Sequence, residues 1–308
     1  MQQVQEQDYS QKFNLGLWRS LLRHASDYYG HLIVLAACMA LTAFIDVLFP
    51  LMTIGSITRN FKAEQLIETW ILPVMGFAIM AFGMALGRLF SRIMRHGTKE
   101  RKAMFQHFCT CNNYLFLPLI VLDNLWGDKY VSLLLLMNIG STIGFWTLGI
   151  AAFGGSSRKE TLHNIFSVNL YAVAIALLLV AFNIQLPTIL AKVCFTMGNA
   201  AVPLVLIGIG AAIYNSAGKL MHHLFDIFYL SVVRLILLPI AIIMMLKMLP
   251  IQEDIFRVLA VVSLMPVSSS SVLVARRYGG DIDLASQAII ITTLLSIITA
   301  PLMLKILL

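Results

Sequence analysis

Two stretches of the 308-residue chain set proline and polar side chains inside otherwise apolar sequence. The first reads Cys109-Thr110-Cys111-Asn112-Asn113-Tyr114-Leu115-Phe116-Leu117-Pro118, and the second Ser263-Leu264-Met265-Pro266-Val267-Ser268-Ser269-Ser270-Ser271. Proline lacks the amide proton that an inner helical turn needs, and Asn and Ser offer the backbone competing hydrogen bonds, so each stretch predicts a broken helix. A break leaves the N-terminus of a half-helix, with unpaired N–H groups and partial positive charge, beside carboxamides and hydroxyls. That combination suits an anion such as a carboxylate. The blander reading keeps both helices whole, kinked at Pro118 and Pro266, with Asn and Ser tying them to neighbours. Two such stretches at matched positions favour the site.

Three charged side chains lie within other apolar runs. Asp46 and Arg234 fall near the middle of theirs, and Lys192 lies nearer an end, from which it snorkels outward. Asp46 either carries a coupling proton, binds a cation, or forms a structural pair with Arg234, which otherwise attracts an anion. His107, Cys109 and Cys111 alternate along one helix and so point to different sides, and no metal site is expected from them. No Walker, GxSxG or HExxH pattern occurs, so no enzyme is expected, and no cofactor beyond a coupling H+ or Na+.

The elements that must position these residues follow from composition. With 59% hydrophobic and 12% charged residues, the chain cannot be a water-soluble globule. Nine apolar runs fall near 31–57, 70–94, 103–122, 130–153, 164–183, 187–213, 225–249, 255–275 and 284–307. Each approaches the roughly 20 residues that a helix needs to cross a hydrocarbon core. The runs are continuous rather than alternating in polarity, which excludes a β-barrel. The fold class expected is therefore an all-α polytopic membrane protein of about nine transmembrane helices.

The formal charge of +7 is scattered through loops rather than gathered on one face, so no nucleic-acid partner is expected. Under alternating topology fourteen Lys and Arg residues fall on one side and only six on the other. Positive residues collect on the cytoplasmic face, which places the N-terminus inside and the C-terminus outside a cytoplasmic membrane. The first thirty residues lack an apolar core of leader type, so no cleavage is expected. None of the four cysteines sits in an exported loop, and no disulfide is expected.

An internal repeat sits beneath this pattern. At a shift of 153, Pro50-Leu51-Met52-Thr53-Ile54-Gly55 aligns with Pro203-Leu204-Val205-Leu206-Ile207-Gly208, Gly127-Asp128 with Gly280-Asp281, Asp46 with Asn199, and Asn113 with Pro266. Each full copy would hold five helices, an odd number, so the copies run in opposite directions through the membrane. The expected division is an interfacial amphipathic segment, 1–30, standing where a first span is missing, then a first inverted repeat, 31–155, and a second, 156–308.

At these residues the chain resembles the auxin efflux carrier family, which includes plant PIN-type and bacterial organic-acid carriers. The motifs occur in order: Phe44-Ile45-Asp46-Val47-Leu48-Phe49-Pro50, Asn113 to Pro118, Gly198-Asn199-Ala200-Ala201-Val202-Pro203-Leu204, Arg234-Leu235-Ile236-Leu237-Leu238-Pro239, and Met265-Pro266 with Ala275-Arg276-Arg277-Tyr278-Gly279-Gly280-Asp281. The resemblance implies paired inverted five-helix repeats, a scaffold and a crossover domain, as in bile-acid sodium symporters. It implies a small organic anion as solute, bound by Asn112 and Asn113 beside Pro118 and by Ser268, Ser269, Ser270 and Ser271 beside Pro266. A homodimer is a candidate assembly. Two departures stand out: nine spans where the family usually has ten, and Asp46 where a neutral amide is commoner, which touches ion coupling through Asp46, Asn199 and Arg234. A sodium-coupled symporter of bile-acid type and a membrane solute sensor that does not transport are the competing readings.

Overall fold

A computed structural model describes residues 48–93, 97–194, 196–197 and 224–307. The expectations for Asp46, Asn199 and segment 1–30 lie outside these residues. In chain order the helices are α1 (48–60), α2 (Ala63–Thr69), α3 (Ile71–Ser91), α4 (Lys99–Thr110), α5 (Phe116–Trp126), α6 (Asp128–Gly144), α7 (Arg158–Ile165), α8 (Val168–Ala181) and α9 (188–194). After them come α10 (Leu224–Val232), α11 (Leu238–Lys247), α12 (Glu253–Ser263), α13 (Ser271–Tyr278) and α14 (Ile282–Leu307). A π-helical turn, Phe145–Gly149, extends α6, and a second, Val233–Leu237, joins α10 to α11.

Among the described residues, four helical stretches are long and apolar enough to cross a membrane: Ala63–Ser91, Asp128–Gly149, Phe225–Lys247 and Ile282–Leu307. Helices α7 and α8 add a fifth if taken as one span bent by 54°. The sequence reads 164–183 as one span. Instead Phe166 leaves helical geometry at ψ 66° and the chain starts again after Ser167. The expected third and eighth spans are each two half-helices, α4 with α5 and α12 with α13, whose first halves end at Thr110 and Ser263.

Lipid tails are as apolar as leucine, so helices in a membrane are held by close packing rather than by the hydrophobic effect. Helix α3 shows this on both sides. A Cβ at Gly83 would lie 2.4 Å from the Cys109 carbonyl oxygen of α4, and one at Gly140 of α6 would lie 1.7 Å from the Pro73 carbonyl oxygen. Beneath these contacts Met104, Phe105 and Phe108 of α4 pack with Ile227 and Leu230 of α10 and with Leu284, Ala285 and Ala288 of α14.

Polar ties fasten the start of α6 and, past its π turn, join α7 to α13. At its start Gly127 takes φ +83°, a left-handed turn that costs glycine little, and so reverses the chain from α5. Ser56 Oγ and Asn60 Nδ2 of α1 donate to the Asp128 carboxylate at 2.8 and 2.7 Å. Lys129 Nζ and the Tyr130 hydroxyl donate to Asp254 at 2.5 Å each, holding its carboxyl below the ordinary carboxylate range. Beyond its far end, the Tyr278 hydroxyl and Arg277 Nη2 donate to Glu160 Oε1 of α7 at 2.9 and 2.7 Å.

Candidate functional site

The two breaks touch. Residues 111–115 and 264–270 leave the helix, and Asn112 and Val267 face each other across an antiparallel bridge. The Asn113 amide donates to the Pro266 carbonyl at 2.8 Å, and the Ser268 amide to the Cys111 carbonyl at 3.3 Å. Backbone freed from a helix at membrane depth must find a partner, and each break finds one in the other. Pro266 supplies only an acceptor, which is all a proline can supply.

The side chains complete the pairing. Asn113 Oδ1 accepts from the amides of Phe116 and Leu117 at 3.1 and 3.3 Å, capping the first turn of α5. Those amides are therefore engaged within the chain, while Asn113 Nδ2 keeps its donors. Asn112 Nδ2 donates to the Val262 carbonyl in the last turn of α12. Pro118, buried in the first turn of α5, starts that half-helix rather than forming the break itself.

In the second break the four serines part company. Ser268 and Ser271 are buried, Ser269 is half-buried and Ser270 is exposed. Ser268 Oγ accepts from the Ser270 amide at 3.3 Å, and Ser271 Oγ lies 3.2 Å from His107 Nε2. The Val267 amide donates to Thr292 Oγ1 of α14 at 3.3 Å.

Arg234 stands in the π turn between α10 and α11 with only 2% of its surface exposed. Its Nε donates to the Met265 carbonyl at 3.1 Å, and its Nη2 donates to the carbonyls of Met265 at 3.0 Å and Ser263 at 3.2 Å. The guanidinium thus caps the C-terminal end of α12, where the helix dipole favours a cation. The sequence marked Arg234 as a charge in need of a partner, and the partner is main chain released by the second break. His107 and Thr292 were missed as members of this constellation, though a histidine within an apolar run signals a buried partner.

A cavity of about 590 Å³ lies to one side of the crossing. Its wall takes in Ser56 and Arg59 of α1, Leu119 and Asp123 of α5, Asp128 of α6 and Val180 of α8. Leu119 lies one turn past the α5 cap, so the cavity runs along the half-helix toward the first break. None of Asn112, Asn113, Pro118, Pro266 and Ser268 to Ser271 is on that wall. Among the described residues no group of three or more His, Cys, Asp or Glu side chains is placed to hold a metal ion.

Among the described residues, four long apolar helices, or five with the bent pair α7 and α8, define a multi-pass helical membrane protein, and beside them two pairs of shorter helices meet at their breaks. Residues 36–304 match the Membrane transport protein family, which takes in the auxin efflux and PIN-like carriers, and the chain belongs to that family. An uncharacterized transporter of Methanothermobacter thermautotrophicus is 28% identical over 192 residues, 61% of this chain and 62% of that protein. The match thus spans less than two thirds of the relative's length.

Proposed function

We propose that the chain is a secondary-active or facilitative carrier of a small organic anion of carboxylate type, working by alternating access about the crossing. The observation that carries the reading is the main-chain pairing of the two breaks, framed by Asn113 and Pro266. At that point Asn113 Nδ2, the Ser269 and Ser270 hydroxyls and the N-terminus of α13 supply donors and positive potential without a fixed charge. The cavity beside α5 provides a way in, and its 590 Å³ matches the size of small-molecule pockets.

Antiparallel pairing of breaks whose first halves end 153 residues apart, at Thr110 and Ser263, supports reading 31–155 and 156–308 as inverted repeats. In this reading the crossover part shifts, within the cytoplasmic membrane, against a scaffold that includes α1 and α8. The N-terminus is inside and the C-terminus outside. Asp46 and Asn199 are the candidates for coupling to H+ or Na+.

Purified protein is first screened for thermal stabilisation by mono- and dicarboxylates, because a ligand stabilises the state it binds. The stabilising compound is then offered to proteoliposomes with and without a sodium gradient. Saturable uptake without sodium is expected, and a sodium requirement would move the chain to the symporter reading. Asn113→Ala is expected to insert and fold yet abolish uptake. Near-normal uptake by that variant sinks the site proposed here.

A further inference from the structure

His107, in the last turn of α4, is fully buried, and the site described so far gives it no task. Its Nδ1 lies 2.7 Å from the Gly149 carbonyl oxygen and its Nε2 3.2 Å from Ser271 Oγ. A carbonyl oxygen only accepts, so Nδ1 carries the proton. Rings of Phe108, Phe145 and Phe153 stand around the imidazole, with centroids 6.1, 5.8 and 5.8 Å away. Neither of its hydrogen-bond partners is a carboxylate, and an unpaired charge in such a place is strongly unfavourable, so the ring is neutral. Nε2 therefore presents a lone pair, and Ser271 must donate its single hydroxyl proton to it.

The other partner is fixed as firmly. Gly149 ends the π turn of α6, and a Cβ there would lie 2.5 Å from Cys111 Sγ. One imidazole thus joins three parts: the first half of one broken helix, the end of α6, and the first residue of the second half of the other broken helix.

We propose that His107 is a positioning residue of the crossing. Through Ser271 it fixes the first turn of α13 against α4, and by occupying that hydroxyl it leaves Ser269 and Ser270 as the serines that meet solute. The second clause rests on the carrier reading; the first stands on geometry alone.

Two amide substitutions separate the ring's two bonds. His107→Asn places a donor where Nδ1 stands and keeps the Gly149 bond, whereas His107→Gln reaches the Nε2 position with an acceptor and keeps the Ser271 bond. Deuterium exchange across 264–275 is followed in the full chain in lipid nanodiscs, with no solute present. Exchange is expected to quicken about tenfold in His107→Asn and Ser271→Ala, the size of one lost hydrogen bond, and to stay within about twofold of the parent in His107→Gln. NMR of protein labelled at histidine is expected to show an unprotonated Nε2 signal that disappears in His107→Gln.

Uptake of radiolabelled succinate supplies the functional arm. The KM is expected to rise about tenfold in His107→Asn and Ser271→Ala, with no further rise in the double variant and near-parent values in His107→Gln. Equal exchange rates in the Asn and Gln variants, or a protonated Nε2, would overturn the positioning role. Succinate uptake absent from the parent protein counts against the carrier reading alone, and the exchange data then decide the role of His107.

Discussion

Asn113 caps the half-helix that follows its own break, whereas the second break, besides its bonds with the first, draws side-chain partners from three other segments: Arg234 between α10 and α11, Thr292 of α14 and His107 of α4. The first break carries its own solution in a run of carboxamides. The second has proline and serines, which cannot reach the two carbonyls left at the end of α12, and it borrows a guanidinium for them. A self-capped half-helix needs no outside side chain for its first turn. A break held from outside depends on where α10 and α14 lie.

The sharpest way to break this contrast is Arg234→Leu. It strips a charged donor from two buried carbonyls, each costly to leave unpaired, and a loss of about 3 kcal/mol or more is expected in thermal melts of the purified protein, together with loss of uptake. Arg234→Lys is expected to recover only part of this, because one ammonium lacks the planar fork that spans both carbonyls. If leucine at 234 left stability unchanged, the second break would prove as self-sufficient as the first.

Next in size is Asn113→Ala, which removes a helix cap and is expected to cost about 1 kcal/mol in the same melts. Its effect on stability should be smaller than that of Arg234→Leu while its effect on uptake is as large, which separates solute binding from support. Thr292→Val should also cost about 1 kcal/mol, by depriving the Val267 amide of its acceptor, with faster deuterium exchange confined to the second break. The smallest effect is expected away from both breaks. Asp254 is partly exposed, and its bonds to Lys129 and Tyr130 are screened by solvent, so Asp254→Asn should cost under about 1 kcal/mol at pH 7. Because those bonds depress the acid's pKa in the folded state, the cost should be present at neutral pH and vanish as pH falls through the folded value, as melts taken over a pH series would show.

The breaks were legible because proline and clustered polar residues within apolar runs are local signals, and the meeting of the two followed from their matched spacing. The family was legible in the ordered motifs from Phe44 to Asp281. The partners were not. Which carbonyl Arg234 would find depends on π turns that have no proline or glycine signature at 233–237, and on the depth at which α10 passes α12. The bend at Phe166 and Ser167 likewise has no proline or glycine to mark it: Ser167 is an ordinary residue for a span, yet the chain leaves helical geometry there. Among the serines, sequence offered four equivalent hydroxyls, and burial sorted them into two internal and two accessible ones.

The clasp between Asn113 and Pro266, and between Ser268 and Cys111, consists wholly of peptide groups. Peptide groups are common to all residues, and the single proline in the clasp is asked only for its carbonyl. These two bonds therefore place no demand of their own on side-chain type, whatever the flanking side chains add around them. Amide can be traded for hydroxyl, or small for large, around the meeting point without removing either of these two bonds.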